Sequence, residues 1–300
     1  MAKNIAASRQ KKPGGLSDKV SDIVLVVICA AVMLIVAYPL YYVLVASFSD
    51  PYDVYAGKTF LLPSQFTLKG YQAVFADSAL FSGFMNSIKY TVIGTIYSVV
   101  MIYLVAYPLS VKDLPGRKYI SLFFVITMYF GGGVVPFFLL IKDLGLYGNR
   151  FAVVIALAFN AFNMIILRNF FESLPPDLEE AAMLDGASPF RIFWQIDLPL
   201  MKPALATVTL YFIVDRWNEW FWSNLLFLDS KMWPMQLELR QILWTSSALA
   251  ADVPAELGRR TYADGMKAAA VIVTMLPIMC VYPFLQKYFA KGVMIGAIKS

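Results

Sequence analysis

Three hundred residues with 59% apolar content, 15% charged content and a mean hydropathy of +0.65 exclude an ordinary soluble domain. No histidine occurs, so His-based triads, His-ligated zinc and imidazole proton relays are excluded. The net charge of +5 sits on basic residues gathered at the ends of apolar segments, which is a membrane-topology pattern and not a nucleic-acid footprint.

In chain order, Lys3, Arg9, Lys11, Lys12 and Lys19 surround Pro13 to Gly15, and residues 1–21 read as a cytoplasmic tail. The apolar run behind them is too long for a cleaved signal. About 20 apolar residues cross the hydrocarbon layer as a helix. Six segments meet that length: 23–48, 84–111, 119–141, 151–167, 203–227 and 266–288. The predicted fold is therefore an all-α integral membrane protein with six transmembrane helices in a domain at 22–290. A second tail follows at 291–300. Lys and Arg lie mostly on the side of the N-terminal tail, among them Lys112, Arg117, Lys118, Arg168, Arg191, Lys202 and Lys287. Both termini are thus expected in the cytoplasm. That leaves two external loops, 49–82 and 228–265, and one internal loop, 169–202. Cys29 and Cys280 fall inside apolar runs and are expected as small buried hydrophobes, with no disulfide framework.

Within the spans, Gly131, Gly132 and Gly133 with Pro136 interrupt the third. Irregular backbone in lipid survives only where protein or a water-filled cavity satisfies it, so the break is either a close helix crossing or a bend lining a pathway. Asn160 and Asn163 share a face of the fourth span, for interhelical hydrogen bonds or for a path. Asp215, Arg216 and Glu219 interrupt the fifth, where a central charge costs about 3 kcal/mol. They form either a buried ion network or, with Trp217, Asn218, Trp220 and Lys89 of the second span, a polar aromatic path. Arg216 and Lys89 on such a path would suit an acidic sugar.

The internal loop carries the sharpest local signals. Pro175 and Pro176 suit a helix start, Asp177, Glu179 and Glu180 complement the positive end of its dipole, and Gly186 suits the left-handed residue that ends it. Ser188 before Pro189 resembles a second start. Spacing alone leaves this helical hairpin as either a knob gripped by a partner or a connector packed on its own bundle.

The run Glu180-Ala181-Ala182-x-x-Asp185-Gly186-Ala187, continuing to Pro199, resembles the E-A-A loop of importer-type ABC permeases. Asn86-Ser87, Tyr129 to Pro136, Lys142 to Leu146, Trp217-Asn218 and Lys291 to Lys299 are similar to the carbohydrate permeases of the maltose type, in the branch handling polysaccharide-derived oligosaccharides. That resemblance implies a non-catalytic subunit, with a second homologous permease beside it. A cytoplasmic ATPase dimer would bind the ATP and Mg, so this chain needs no cofactor of its own. An external solute-binding protein would deliver an oligosaccharide, a uronate-containing one being a candidate. It further implies the bacterial cytoplasmic (inner) membrane, lipid contact and no nucleic acid. Glu180, Ala181, Ala182, Asp185, Gly186, Ala187 and Pro199 are the implied coupling residues, with the C-terminal tail as a second contact with the ATPase. The external loops, with Tyr52, Tyr55, Phe60 and Trp233 as interfacial aromatic anchors, would receive the binding protein. The rival reading is an ion-coupled secondary transporter using Asp215 and Glu219. It lacks the paired repeats such carriers often show. A membrane enzyme is disfavoured by the absence of any nucleophile motif, and no phosphate loop marks the chain as the ATPase.

Overall fold

The computed structural model describes residues 16–252, 266–281 and 283. The tail at 291–300, most of the tail at 1–21, and the end of the sixth expected span lie outside the described residues. Those described are helical, with one isolated antiparallel bridge between Ser49 and Phe66. The helices are α1 Leu16–Ser47, α2 Pro51–Tyr55, α3 Lys69–Ala76, α4 Ser78–Ser110, α5 Arg117–Tyr129, α6 Val134–Asp143, α7 Phe151–Ala156 and α8 Ala161–Glu172. After them come α9 Pro176–Leu184, α10 Pro189–Ile192, a π-helical turn Phe193–Asp197, α11 Leu198–Leu200, α12 Lys202–Trp217, α13 Phe221–Leu226, α14 Met235–Asp252 and α15 Met266–Val281.

Among the described residues two helices, α1 and α4, are long and apolar enough to cross a membrane alone. The pairs α5–α6 and α10–α12 qualify only as bent units, at 116° and 74°. The expected third span is therefore no straight helix. Gly133 takes φ +84°, a left-handed value that favours glycine, and α6 begins directly beyond it at Val134, with Pro136 in its first turn. The expected fourth and fifth spans are also broken, at 157–160 and 218–220. The segment expected as the second external loop contains α14, a helix of 18 residues.

The helix α4 organises the rest. Asp77 caps its start, accepting from the N–H groups of Ala79 and Leu80 at 2.8 and 3.1 Å. Gly83, Ser87, Tyr90, Gly94, Ser98, Ile102, Ala106 and Leu109 form a buried stripe at helical spacing down its length. Towards its C-terminal end Ile102, Ala106 and Leu109 pack with Met164 and Leu167 of α8 and Ala204 and Val208 of α12. Near its N-terminal end Leu80 packs with Met235 and Leu239 of α14 and with Ala269 and Ala270 of α15. Gly83 permits that crossing, since a Cβ there would lie 3.3 Å from the Met235 backbone. Lipid tails are as apolar as these side chains, so close packing and polar cross-links hold such helices together.

The strongest cross-links carry Asn86 and Ser87. The Asn86 amide donates to the carbonyls of Lys231 and Trp233 at 2.9 and 3.0 Å, and its own oxygen accepts from Arg150 at 2.8 Å. The Ser87 hydroxyl accepts from Met235 N–H at 2.8 Å. These bonds fix the entry of α14 onto α4. By contrast α1 exposes its described side chains around most of its length. Cys29 on α1 and Cys280 on α15 are free and exposed, contrary to the expectation of burial, because their helix faces meet no neighbour among the described residues.

Candidate functional site

Three broken helices meet beside α4. At the glycine bend, Gly131, Gly132, Gly133, Phe137, Leu157 and Trp222 border a cavity of about 430 Å³. At the second break Asn160 is the N-cap of α8, its side-chain oxygen accepting from Asn163 N–H at 3.1 Å. Asn163 itself is buried, with an amide nitrogen that finds no hydrogen-bond partner among the described residues. Asn160 and Asn163 are thus brought together locally, at a helix start.

Arg216 is 4% exposed. Its guanidinium donates to the carbonyls of Val153 and Val154 at 2.7 and 3.2 Å and to the Ser98 hydroxyl at 2.8 Å. Those carbonyls lie in α7: that of Val153 also accepts from Leu157 N–H at 3.3 Å, and that of Val154, near the end of this short helix, takes its donor from the Arg216 cation of α12. Gly94 makes the space, since a Cβ there would stand 3.1 Å from the guanidinium carbon. Here Arg216 joins α4, α7 and α12.

At the third break the Glu219 carboxylate accepts from the N–H groups of Trp222 and Ser223 at 2.5 and 3.2 Å and from the Ser223 hydroxyl, capping α13. Trp217 is buried, its indole N–H donating to the Thr274 carbonyl at 2.9 Å with its ring edge-on to Phe84. Asn218 and Trp220 face α14: Gln236 donates to Asn218 at 3.3 Å, and Arg240 stacks on Trp220. Lys89 lies on the exposed side of α4, away from all of these, and Asp215 is exposed on α12.

At the other end of α4 lies the hairpin of the 169–202 loop. Asp185 is the C-cap of α9, Gly186 takes φ +79°, and the N–H groups of Gly186 and Ala187 return to the carbonyls of Met183 and Ala182, each at 3.0 Å. This pair of bonds is the Schellman arrangement, for which a left-handed glycine is the favoured residue. Ser188 then caps α10, its hydroxyl accepting from Arg191 N–H at 3.3 Å. Glu180, Ala181, Asp185, Gly186 and Pro199 are exposed, with Ala182 and Ala187 partly so. Leu184, Phe190 and Trp194 add exposed apolar surface. The hairpin is anchored by Phe193, whose ring meets Tyr103 and Tyr107 of α4 edge-on, each at 5.1 Å between centroids.

Residues 78–295 match the sequence profile of the binding-protein-dependent transport system inner membrane component family. The chain belongs to that family. It is accordingly a membrane permease subunit, and not an enzyme. The chain is 40% identical over 269 residues to the polygalacturonan/rhamnogalacturonan transport system permease protein YtcP of Bacillus subtilis, covering 89% of this chain and 94% of that one. It is 37% identical over 284 residues to protein LplC of the same organism, covering 95% and 96%. A chain in the crystal structure of a bacterial ABC transporter involved in the import of the acidic polysaccharide alginate superposes with a TM-score of 0.84 at 36% identity, covering 92% of this chain and 99% of that one.

One functional candidate in this permease escaped the sequence reading. Asp197, in the π-helical turn between hairpin and α12, is 1% exposed, and neither carboxylate oxygen has a hydrogen-bond partner among the described residues. Burial, reinforced by the nearby Glu179, pushes its carboxyl up to about 6. A raised acid pKa means the folded state prefers the neutral form. The cost is therefore full above the folded value and is relieved as pH falls towards the unfolded one, by about 3 kcal/mol in total. Asp197→Asn is expected to raise the thermal unfolding midpoint of the purified complex at pH 7.5 and to flatten its dependence between pH 7.5 and 5. A wild-type midpoint that falls on acidification over this range would contradict the assignment. The only sequence signal was a lone acid between Ile196 and Leu198.

Proposed function

We propose that this permease is one of two homologous membrane subunits of an ABC importer for uronate-containing oligosaccharides. A separate cytoplasmic ATPase dimer, binding ATP and Mg, would drive its alternating access. What carries the cargo assignment is the convergence of two strong likenesses. The 40% identical relative is named for polygalacturonan, by its chemistry a uronate polymer, and the chain that superposes at 0.84 comes from an importer of acidic alginate.

In this reading the bent pairs α5–α6, α7–α8 and α12–α13 are each one span, giving six with α1, α4 and α15, and both termini are cytoplasmic. The Phe193 anchor at Tyr103 and the α14 crossing at Gly83 are separated along α4 by about 30 Å, the thickness of the hydrocarbon layer. Hairpin and α14 then face opposite compartments. The hairpin, through Glu180, Ala181, Ala182, Asp185, Gly186, Ala187 and Pro199, is the part the ATPase grips. The outer surfaces at 49–82 and 228–265 receive the solute-binding protein, and exposed α1 meets lipid. Inactivating the chain in its native cell should abolish uptake of oligogalacturonates and spare uptake of neutral disaccharides. Retained oligogalacturonate uptake would refute the cargo.

A further inference from the structure

On α14, Gln236, Arg240 and Trp244 recur every fourth residue and so share one face. That face looks onto the break between α12 and α13. Gln236 bonds Asn218, and the Arg240 guanidinium carbon sits 3.6 Å from the centre of the Trp220 ring. Around the stack Trp220, Asn224, Leu237, Arg240, Gln241 and Trp244 line a cavity of about 230 Å³. Such a volume lies below that of pockets for drug-sized ligands and matches one ring of an oligosaccharide.

The chemistry of this lining is specific. A guanidinium stacked on an aromatic face spends its π surface and keeps its in-plane N–H donors, which fit a carboxylate in a two-bond fork. Arg240 makes no ion pair with any described residue, so its charge is not neutralised within the described part of the chain. Trp244, 68% exposed, offers an apolar ring to the C–H face of a sugar, and Asn224 and Gln241 offer amides to its hydroxyls. The entry of α14 is pinned by Asn86 and Ser87, so the cavity is held by the scaffold.

We propose that this cavity is a uronate subsite of the permease, where one acidic sugar residue of the arriving oligosaccharide is held by its carboxylate on Arg240 and by its ring on Trp244. The proposal rests on the acidic-oligosaccharide reading above. The test uses proteoliposomes holding the whole transporter with its solute-binding protein, and measures ATP-dependent uptake of trigalacturonate. Arg240→Gln is expected to raise the half-saturating concentration about tenfold, as for loss of a charge-assisted bond. Arg240→Lys, which keeps the charge without the fork, should raise it less. Trp244→Ala, at an exposed position that folding does not depend on, should also raise it. An unchanged value in Arg240→Gln overturns the subsite. So does an equal loss in the Gln and Lys variants accompanied by a lower unfolding midpoint, which would make Arg240 a packing element. A wild-type transporter that carries only neutral oligosaccharides would instead overturn the cargo reading, a result distinct from either of these.

Discussion

Replacing Gly186 by valine is expected to cut transport by about tenfold or more while the ATPase continues to hydrolyse ATP. An added Cβ at this position meets nothing within 4 Å, so the effect does not come from a clash with neighbours. It comes from the backbone: φ +79° costs an L-residue about 1–2 kcal/mol, more for a β-branched one. The hairpin relieves that strain by giving up the bonds from Gly186 and Ala187 to Met183 and Ala182, which re-aims α9 relative to α10. Phe193 still ties the second half to Tyr103 and Tyr107, so the damage is confined to the half that carries Glu180 and Ala181. Gly186→Ala should fall between the two. Uptake by the valine variant at wild-type rate would remove the hairpin from the coupling path.

The second large effect is expected at Arg216→Ala. Truncation leaves the Val154 carbonyl without its donor, removes a second donor from the Val153 carbonyl and the bond to the Ser98 hydroxyl, and opens a cavity against Gly94. The cost is on the order of 3 kcal/mol, from one buried carbonyl left unpaired at about 1–3 kcal/mol together with the cavity beside it. The variant should show a lower unfolding midpoint and reduced yield, and what remains should carry acidic and neutral oligosaccharides with equal loss. A stable variant deficient only in acidic cargo would put Arg216 back on the solute path that its charge alone implies. Arg216 sits in the last turn of α12, enclosed and hydrogen-bonded by protein, whereas Arg240, within α14, is stacked on Trp220 and exposed.

Much of the hairpin was legible, because caps are local. Pro176, Gly186 and Ser188 each act within four residues of themselves, and the structure finds each in the role its chemistry favours. The glycines at 131–133 also announced a break, although not a turn of 116°. The breaks at 157–160 and 218–220 carry no glycine or proline, and their apolar flanks read as continuous spans. Signals existed: Asn160 three residues before Asn163, and Glu219 ahead of Ser223, are capping spacings. Inside an apolar run, Asn160 and Asn163 read as interhelical or pathway polar groups and Glu219 as part of an ion network or polar path. The helix α14 is not legible as a span because it mixes buried Met235, Leu237, Glu238 and Leu239 with half-buried Gln236 and exposed Arg240, so it lacks the continuous apolar length of a membrane helix. The cavity beside Trp220, lined by Arg240 and Trp244 of this helix, is hidden with it.

The central claim, an ATP-driven permease for acidic oligosaccharides, is tested most directly by reconstituting this chain with its partner permease, ATPase and solute-binding protein in proteoliposomes and following labelled oligogalacturonate. The account predicts uptake that requires ATP, the ATPase and the binding protein together, and that is indifferent to collapse of a proton gradient. Uptake by the chain alone, driven by an ion gradient without ATP, would contradict it and would restore the secondary-transporter reading of Asp215 and Glu219.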